Sequence, residues 1–263
     1  MKRVAIIGAG ALGRVLAENL YDKLHDRYEI TGILARTPAT ALAEQIGCRA
    51  YESISDLLEE QPDYVVEIAG IAAVAENGIK ILRAGIDLII VSVGALANAE
   101  LYASLVTAAE ESGSRIYIAS GAIGGFDLMR TFAIMGPMTA EIENTKAPEN
   151  LEGAPYLSGR LLSQRDEATI FEGSVEDAIH GFPKNVNVAV ATDLAVNCDT
   201  KVTIRSIPNL SWNNHVIRLH SRTAEAEITI RSMPDPKNPK SSTFTAWSVI
   251  ALLDNLDSPV QFF

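Results

Sequence analysis

The chain has 263 residues, 48% of them hydrophobic and 21% charged, which is enough apolar material for roughly two globular domains. Its 22 lysines and arginines against 33 acidic residues leave a net charge of −11, which argues against nucleic acid as a partner, because that would need a basic face. Cys48 and Cys198 make neither a disulfide framework nor a metal set, so no metal site is expected. No stretch reaches the ~18–20 unbroken apolar residues of a membrane helix, and the first apolar run is too short for a secretory signal. A cytoplasmic protein without a membrane partner is expected.

Val4 to Ile7 form an apolar run suited to a strand buried on both faces of a parallel sheet. It stops at Gly8-Ala9-Gly10-Ala11-Leu12-Gly13, a G-x-G-x-x-G pattern, and a helical periodicity begins at Val15. In that setting Gly8 allows a tight turn, Gly10 lets a pyrophosphate approach the backbone, and Gly13 lets helix and strand pack closely. The phosphates would then meet the amides of the helix start. A second strand, Tyr28 to Leu34, ends in Ala35-Arg36-Thr37. Dinucleotide sites often place an acidic residue here for the ribose hydroxyls. Its replacement by Ala35 and Arg36 removes repulsion against a 2′-phosphate, so NADP as well as NAD would be accepted. The alternative is that Arg36 is solvated or stacks on adenine.

Helices are expected over Ala39–Ile46, stopped by Gly47, and over Ser53–Glu60, capped by Ser53 or Ser55. A strand over Tyr64–Ala69 ends at Gly70, a helix covers Ala72–Ala84, and a strand covers Asp87–Ser92. A helix over Ala99–Ser112 and a strand over Arg115–Ala119 follow, then Ser120 to Gly125. Alternating strands and helices specify a doubly wound parallel sheet of the α/β class. Its ligand would sit beyond the carboxyl ends of the strands, against the glycine loop, Ala69-Gly70, Ser92–Ala95 and Ser120–Gly125.

The pattern then changes. Phe126–Met135 reads as a helix, and residues 143–158 show no clear period. A short strand at Thr169–Gly173, a turn of helix capped by Ser174 and an apolar helix over Val186–Val196 follow. Three segments then alternate with period two, Lys201–Arg205, Asn214–Leu219 and Glu225–Arg231, as antiparallel strands with one wet face do. Met233–Pro239, with three prolines, reads as an extended crossing, and Ser242 or Thr243 caps a last helix, Ala246–Leu256. The second part is therefore an α+β domain with a largely antiparallel sheet.

Several stretches together resemble the L-aspartate dehydrogenase family: Gly8–Gly13, Val91–Leu96, Ser120–Asp127, Phe182-Pro183-Lys184-Asn185-Val186-Asn187, Asn214-His215, and Asn238-Pro239-Lys240 before a Ser/Thr-rich helix start. They span nearly the whole chain. The Ser-Gly-Ala-Ile-Gly-Gly and Phe-Pro-Lys-Asn-Val-Asn stretches are the specific ones, whereas the glycine loop is widespread. The resemblance implies a Rossmann domain, residues 1–122, completed by a C-terminal helix within 241–263, and a substrate and dimerisation domain, 123–240. It implies a homodimer that oxidises L-aspartate reversibly with NAD or NADP, giving iminosuccinate, oxaloacetate and ammonia. Iminosuccinate would be handed on to NAD biosynthesis. The departures are Phe126, where leucine is more usual, and Ala35-Arg36.

Amine oxidation needs a base near neutrality and groups that grip two carboxylates, and histidine suits the base. His25 sits in a polar segment, and His180 ends a helix, where a cation favours the dipole. His215 and His220 would face opposite sides of one strand, and spacing does not choose between them. The resemblance points to His215 as acid/base, and to Ala122, through its backbone N–H, and Asn187 as cofactor ligands. Gly8, Gly10, Ala11, Leu12, Gly13, Arg36, Ala69 and Gly70 complete the expected cofactor set. Lys184 and Asn185 are candidates for the substrate carboxylates, as are Ser242 and Thr243, whose other reading is as caps of the last helix. Two other readings stay open: a homoserine-dehydrogenase-like oxidoreductase acting without ammonia, and a dinucleotide-binding sensor without turnover.

Overall fold

The computed structural model describes residues 1–37, 39–183, 186–233 and 242–262. The chain divides into two compact units, residues 1–119 with 245–262, and residues 120–244.

The first unit alternates strand and helix: β1 (Lys2–Ile7), α1 (Ala11–Leu24), β2 (Tyr28–Leu34), α2 (Thr40–Ile46), β3 (Arg49–Tyr51), α3 (Ile54–Glu59), β4 (Tyr64–Glu67), α4 (Ile71–Arg83), β5 (Asp87–Ile90), α5 (Ala99–Ser112) and β6 (Ile116–Ile118). The six strands form one parallel sheet in the order β3-β2-β1-β4-β5-β6. That order reverses direction at β1, which places the ligand crevice of such sheets between the ends of β1 and β4. The expected apolar strands are the central ones: Val4, Ala5, Ile6, Val65 and Val66 are fully buried. Local signals act as read. Gly47 adopts φ 80° and closes α2 on the carbonyls of Ala43 and Glu44. Ser53, not Ser55, caps α3 in a reciprocal pair with Asp56. The short edge strand β3 escaped prediction, because three residues carry too little period to read.

The second unit contains α6 (Phe126–Met135), β7 (Met138–Lys146), α7 (Pro148–Leu151), β8 (Ala168–Gly173), α8 (Val175–Gly181), α9 (Asn187–Val196), β9 (Thr200–Ser206), β10 (Asn213–Ser221) and β11 (Glu225–Ser232). Its sheet runs β11-β10-β7-β9-β8. Three of the four pairings are antiparallel, and β7 with β9 is parallel. The absence of any expected strand before residue 169 is corrected here: β7 is nine residues long and is the middle strand of the sheet. Its inward side runs Ala140, Ile142, Asn144, Lys146, so it starts apolar and ends polar, and the alternation dissolves half-way. α6 and α9 pack on this sheet, and Gly125, just before α6, lies against Ile228, with no room for a β-carbon. Tyr156, Phe171 and Phe182 form a ring cluster with centroids 5.3–5.7 Å apart, and burying a ring such as Phe182 contributes about 1.5–3 kcal/mol.

The last helix, α10 (Phe244–Leu256), belongs to the first unit from Thr245 onward. Ala246, Val249, Ile250 and Leu253 join the same core as Leu16, Leu20 and Ile33. The Tyr28 hydroxyl donates to the Leu253 carbonyl at 2.7 Å. The expected crossing at 233–239 falls, apart from Met233, outside the described residues.

Candidate active site

In the first unit the site is made of backbone. Gly8 has φ 130°, and a β-carbon on it would lie 2.9 Å from the Ile68 backbone. A β-carbon on Gly13 would lie 2.1 Å from the Gly8 carbonyl oxygen, so loop and helix approach as closely as glycine permits. Around Gly10, by contrast, a β-carbon would meet nothing within 4 Å. Gly10 is also the N-cap of α1 and brings no side chain to it, so the amides of Ala11, Leu12 and Gly13 have neither an intrahelical acceptor nor a side-chain cap. An open approach at one glycine and free donors at a helix start fit a pyrophosphate. Arg36 is exposed two residues beyond β2, whose last carbonyl, Leu34, accepts the Gly8 N–H at 2.8 Å. Arg36 therefore lies just past the end of the strand next to the glycine loop.

Sequence reasoning did not single out Glu67. It ends β4, is 1% exposed, and its carboxylate accepts from the N–H groups of Ala69 (2.8 Å), Gly70 (2.7 Å) and Ser92 (3.1 Å) and from the Ser92 hydroxyl (3.0 Å). Burial pushes its pKa up, and the donors oppose that shift. It ties the turn after β4 to the turn after β5, at the crevice. The Ala69 and Gly70 amides are thereby engaged, so any contact of theirs to a nucleotide comes from other backbone atoms. A lone glutamate in an apolar strand was the available signal.

In the second unit the site is made of side chains. His215 on β10 pairs in register with Asn144 on β7, and both are buried. The Nδ1–H of His215 donates to Asn144 Oδ1 at 2.6 Å. That bond leaves Nε2 with its lone pair. Burial, aided by the nearby charge of Lys146, pushes the His215 pKa down to about 3, so the ring is neutral at physiological pH. The other histidines are elsewhere. His220 is exposed on the opposite face, 3.0 Å from Glu225 Oε1. His25 is exposed, with Nδ1 3.1 Å from the Tyr21 carbonyl, and His180 is exposed in the last turn of α8. The period-two argument that separated His215 from His220 therefore holds.

Around His215 the inward face changes character along the strands. Ile217 faces Ile142 across the pair, His215 faces Asn144, and one step further Lys146 faces Ser206 on β9. Lys146 is 6% exposed and is the only buried ammonium among the described residues. Asn144 Nδ2 and Ser206 Oγ are buried without a hydrogen-bond partner. Neither Asn144, Lys146 nor Ser206 stood out in the sequence, since the first two lie in a polar stretch without a period and Ser206 is one polar residue at a strand end.

The remaining candidates are placed as follows. Ala122 is half-buried in the turn that closes with the Ile123 N–H on the Ser120 carbonyl (3.1 Å), in the second unit. Asn187 is exposed at the start of α9. Ser242 is buried and its Oγ accepts the Phe244 N–H at 3.2 Å, so it does cap α10, and Thr243 is half-buried beside it. Lys184 and Asn185 lie outside the described residues. Among those that are described, no cluster of His, Cys, Asp and Glu could hold a metal ion, and no helix is long and apolar enough to cross a membrane.

A six-stranded parallel sheet with a glycine loop entering an uncapped helix, followed by a second unit with a buried neutral histidine, defines a nucleotide-dependent dehydrogenase of the Rossmann class. Residues 8–119 match the family model for the NAD-binding domain of homoserine dehydrogenase, and residues 127–256 match that for the aspartate dehydrogenase C-terminal domain. The chain is 33% identical over 264 residues to the L-aspartate dehydrogenase of Methanocaldococcus jannaschii, covering 99% of each, and 35% identical over 262 residues to that of Methanospirillum hungatei, covering 99% and 98%. The crystal structure of aspartate dehydrogenase from Thermotoga maritima superposes with a TM-score of 0.75 at 28% identity over the full length of both chains. The chain belongs to the aspartate dehydrogenase family, and it is an NAD(P)-dependent amino-acid dehydrogenase.

Proposed function

We propose that this chain oxidises L-aspartate reversibly with NAD or NADP to iminosuccinate, which water converts to oxaloacetate and ammonia. The observation that carries the reading is His215, a buried neutral imidazole with Nδ1 fixed by Asn144 and Nε2 left as an acceptor, in a chain of this family. Bound dinucleotide supplies the hydride acceptor. The amides at the start of α1 and the space at Gly10 receive its pyrophosphate, Arg36 meets a 2′-phosphate, and Ala122 and Asn187 hold the nicotinamide end. The substrate reacts as the neutral amine, present at alkaline pH. After hydride transfer Nε2 of His215 takes a proton from the water that adds to the imine carbon and gives it to the nitrogen, which leaves as ammonia while the hydroxyl proton passes to solvent. Lys184, Asn185, Ser242 and Thr243 serve the substrate carboxylates. The second unit forms a homodimer. The protein works in a reducing cytoplasm, in keeping with two free cysteines, of which Cys48 is held protonated by burial that pushes its thiol up to about 11.

The test is NADH and NADPH oxidation by purified protein with oxaloacetate, with and without ammonium. Ammonium-dependent oxidation is expected, together with NAD(P) reduction by L-aspartate at alkaline pH. Oxidation of homoserine without any turnover of aspartate would overturn the reading, and so would nucleotide binding without turnover of either.

A further inference from the structure

We propose that Glu67 is a positioning residue for the dinucleotide: it fixes the turns after β4 and β5, and the glycine loop, which rests on the first of them, thereby keeps the shape that receives a pyrophosphate. Of the reading above, the inference needs only that the pyrophosphate binds at the glycine loop, and it concerns the first unit alone. Glu67 is the only buried carboxylate among the described residues, and at 1% exposed it acts through its neighbours.

Backbone contact carries its influence to the loop. Glu67 pairs in register with Ile7, the last residue of β1 before the loop, and the Ile68 N–H donates to the Ile7 carbonyl at 2.9 Å. A β-carbon on Gly8 would lie 2.9 Å from the carbonyl carbon and oxygen of Ile68 and 3.1 Å from the Ala69 nitrogen. Gly8 thus lies directly on the turn whose two amides, Ala69 and Gly70, are held by Glu67 Oε1. Gly13 reaches the same turn, since a β-carbon there would be 3.6 Å from Ile68 Cγ2. Oε1 also accepts from the Ser92 hydroxyl, and Oε2 accepts from the Ser92 N–H, so one carboxylate joins the exits of β4 and β5. An ionised carboxylate suits four converging donors because it only accepts. A carboxamide of the same size carries an N–H2 at one end, so whichever way it turns a donor meets a donor. A turn released in this way must be ordered again when the dinucleotide binds, and that cost appears in the affinity.

The test is fluorescence titration with NADH, beside steady-state kinetics of NADH oxidation with oxaloacetate and ammonium. Glu67→Gln should weaken NADH binding about tenfold, the usual effect of losing one hydrogen bond to a charged group, and Glu67→Met, which removes all four, about 100-fold. KM for NADH should rise in step, with kcat at saturating NADH within about twofold of wild type. A residue needed only for stability would lower the amount of active protein and leave that KM where it is. Glu67→Gln keeps the test open if Glu67→Met does not fold. Wild-type NADH affinity in folded Glu67→Gln protein, or a lower kcat at unchanged KM, would overturn the positioning role. Gly13→Ala separates this outcome from failure of the reading beneath it. NADH binding that is weakened by the Glu67 variants but not by Gly13→Ala would keep Glu67 as an anchor of the crevice and overturn the glycine loop as the pyrophosphate site.

Discussion

The two units build their sites from different materials. In the first, the candidate groups for a ligand are, Arg36 aside, backbone: amides at the start of α1, the space at Gly10, and turns tied down by Glu67. In the second they are side chains from β7, β9 and β10, brought together by strand pairing. A backbone site is written in consecutive residues, because one turn makes it. A side-chain site across a sheet is written in residues 71 apart, as with Asn144 and His215, and each of its members looks ordinary in its own segment. The difference also predicts independence: damage to one site should leave the other's ligand affinity intact.

The largest expected effect tests the second site. His215→Ala should lower kcat about 10²–10⁴-fold, the range for loss of a general base, with NADH affinity nearly unchanged. His220→Ala, on the opposite face, serves as the control and should be mild. A His215→Ala protein that keeps near-normal kcat with aspartate would remove the residue from the mechanism.

Next in size is the reciprocal variant in the first unit. Gly13→Ala puts a β-carbon 2.1 Å from the Gly8 carbonyl oxygen. The loop must shift, at a cost of about 1–3 kcal/mol for such overpacking, and NADH affinity measured by fluorescence titration should fall about 10–100-fold. The KM for L-aspartate at saturating NAD should stay near the wild-type value. A parallel rise in that KM would show that the two sites are coupled and would break the comparison.

Least visible at neutral pH is an effect on stability in acid. The folded pKa of His215 is pushed down to about 3 from an ordinary value of 6.5. Between those values the unfolded chain binds a proton that the folded chain does not, so stability falls as the pH drops through this window, by at most about 1.4 kcal/mol per pH unit. Above about pH 6.5 the contribution is fully present. Urea unfolding of wild type and His215→Asn between pH 4 and pH 8 checks this. The wild type should lose stability more steeply toward acid, and parallel curves would mean that His215 protonates as easily folded as unfolded.

The sequence by itself determined the first unit almost whole. Its central strands, β1, β4 and β5, are buried on both faces over most of their length and read as apolar runs, and helix ends such as Gly47, Ser53 and Gly113 announce themselves by chemistry. It also determined that His215 and His220 face opposite ways, because the period of a strand is two. Tertiary structure decided what the second unit does with its polar residues. β7 could not be read, since its inward side passes from Ala140 and Ile142 to Asn144 and Lys146, and only pairing with β10 and β9 turns those two into neighbours of His215 and Ser206. Tertiary structure likewise decided that Glu67 is buried and held by four donors, rather than being a charge at a strand end. The physical reason is common to both. Periodicity and caps are local properties of a few consecutive residues, whereas the cost of burying a polar group depends on which distant groups surround it, and the fold alone assigns those.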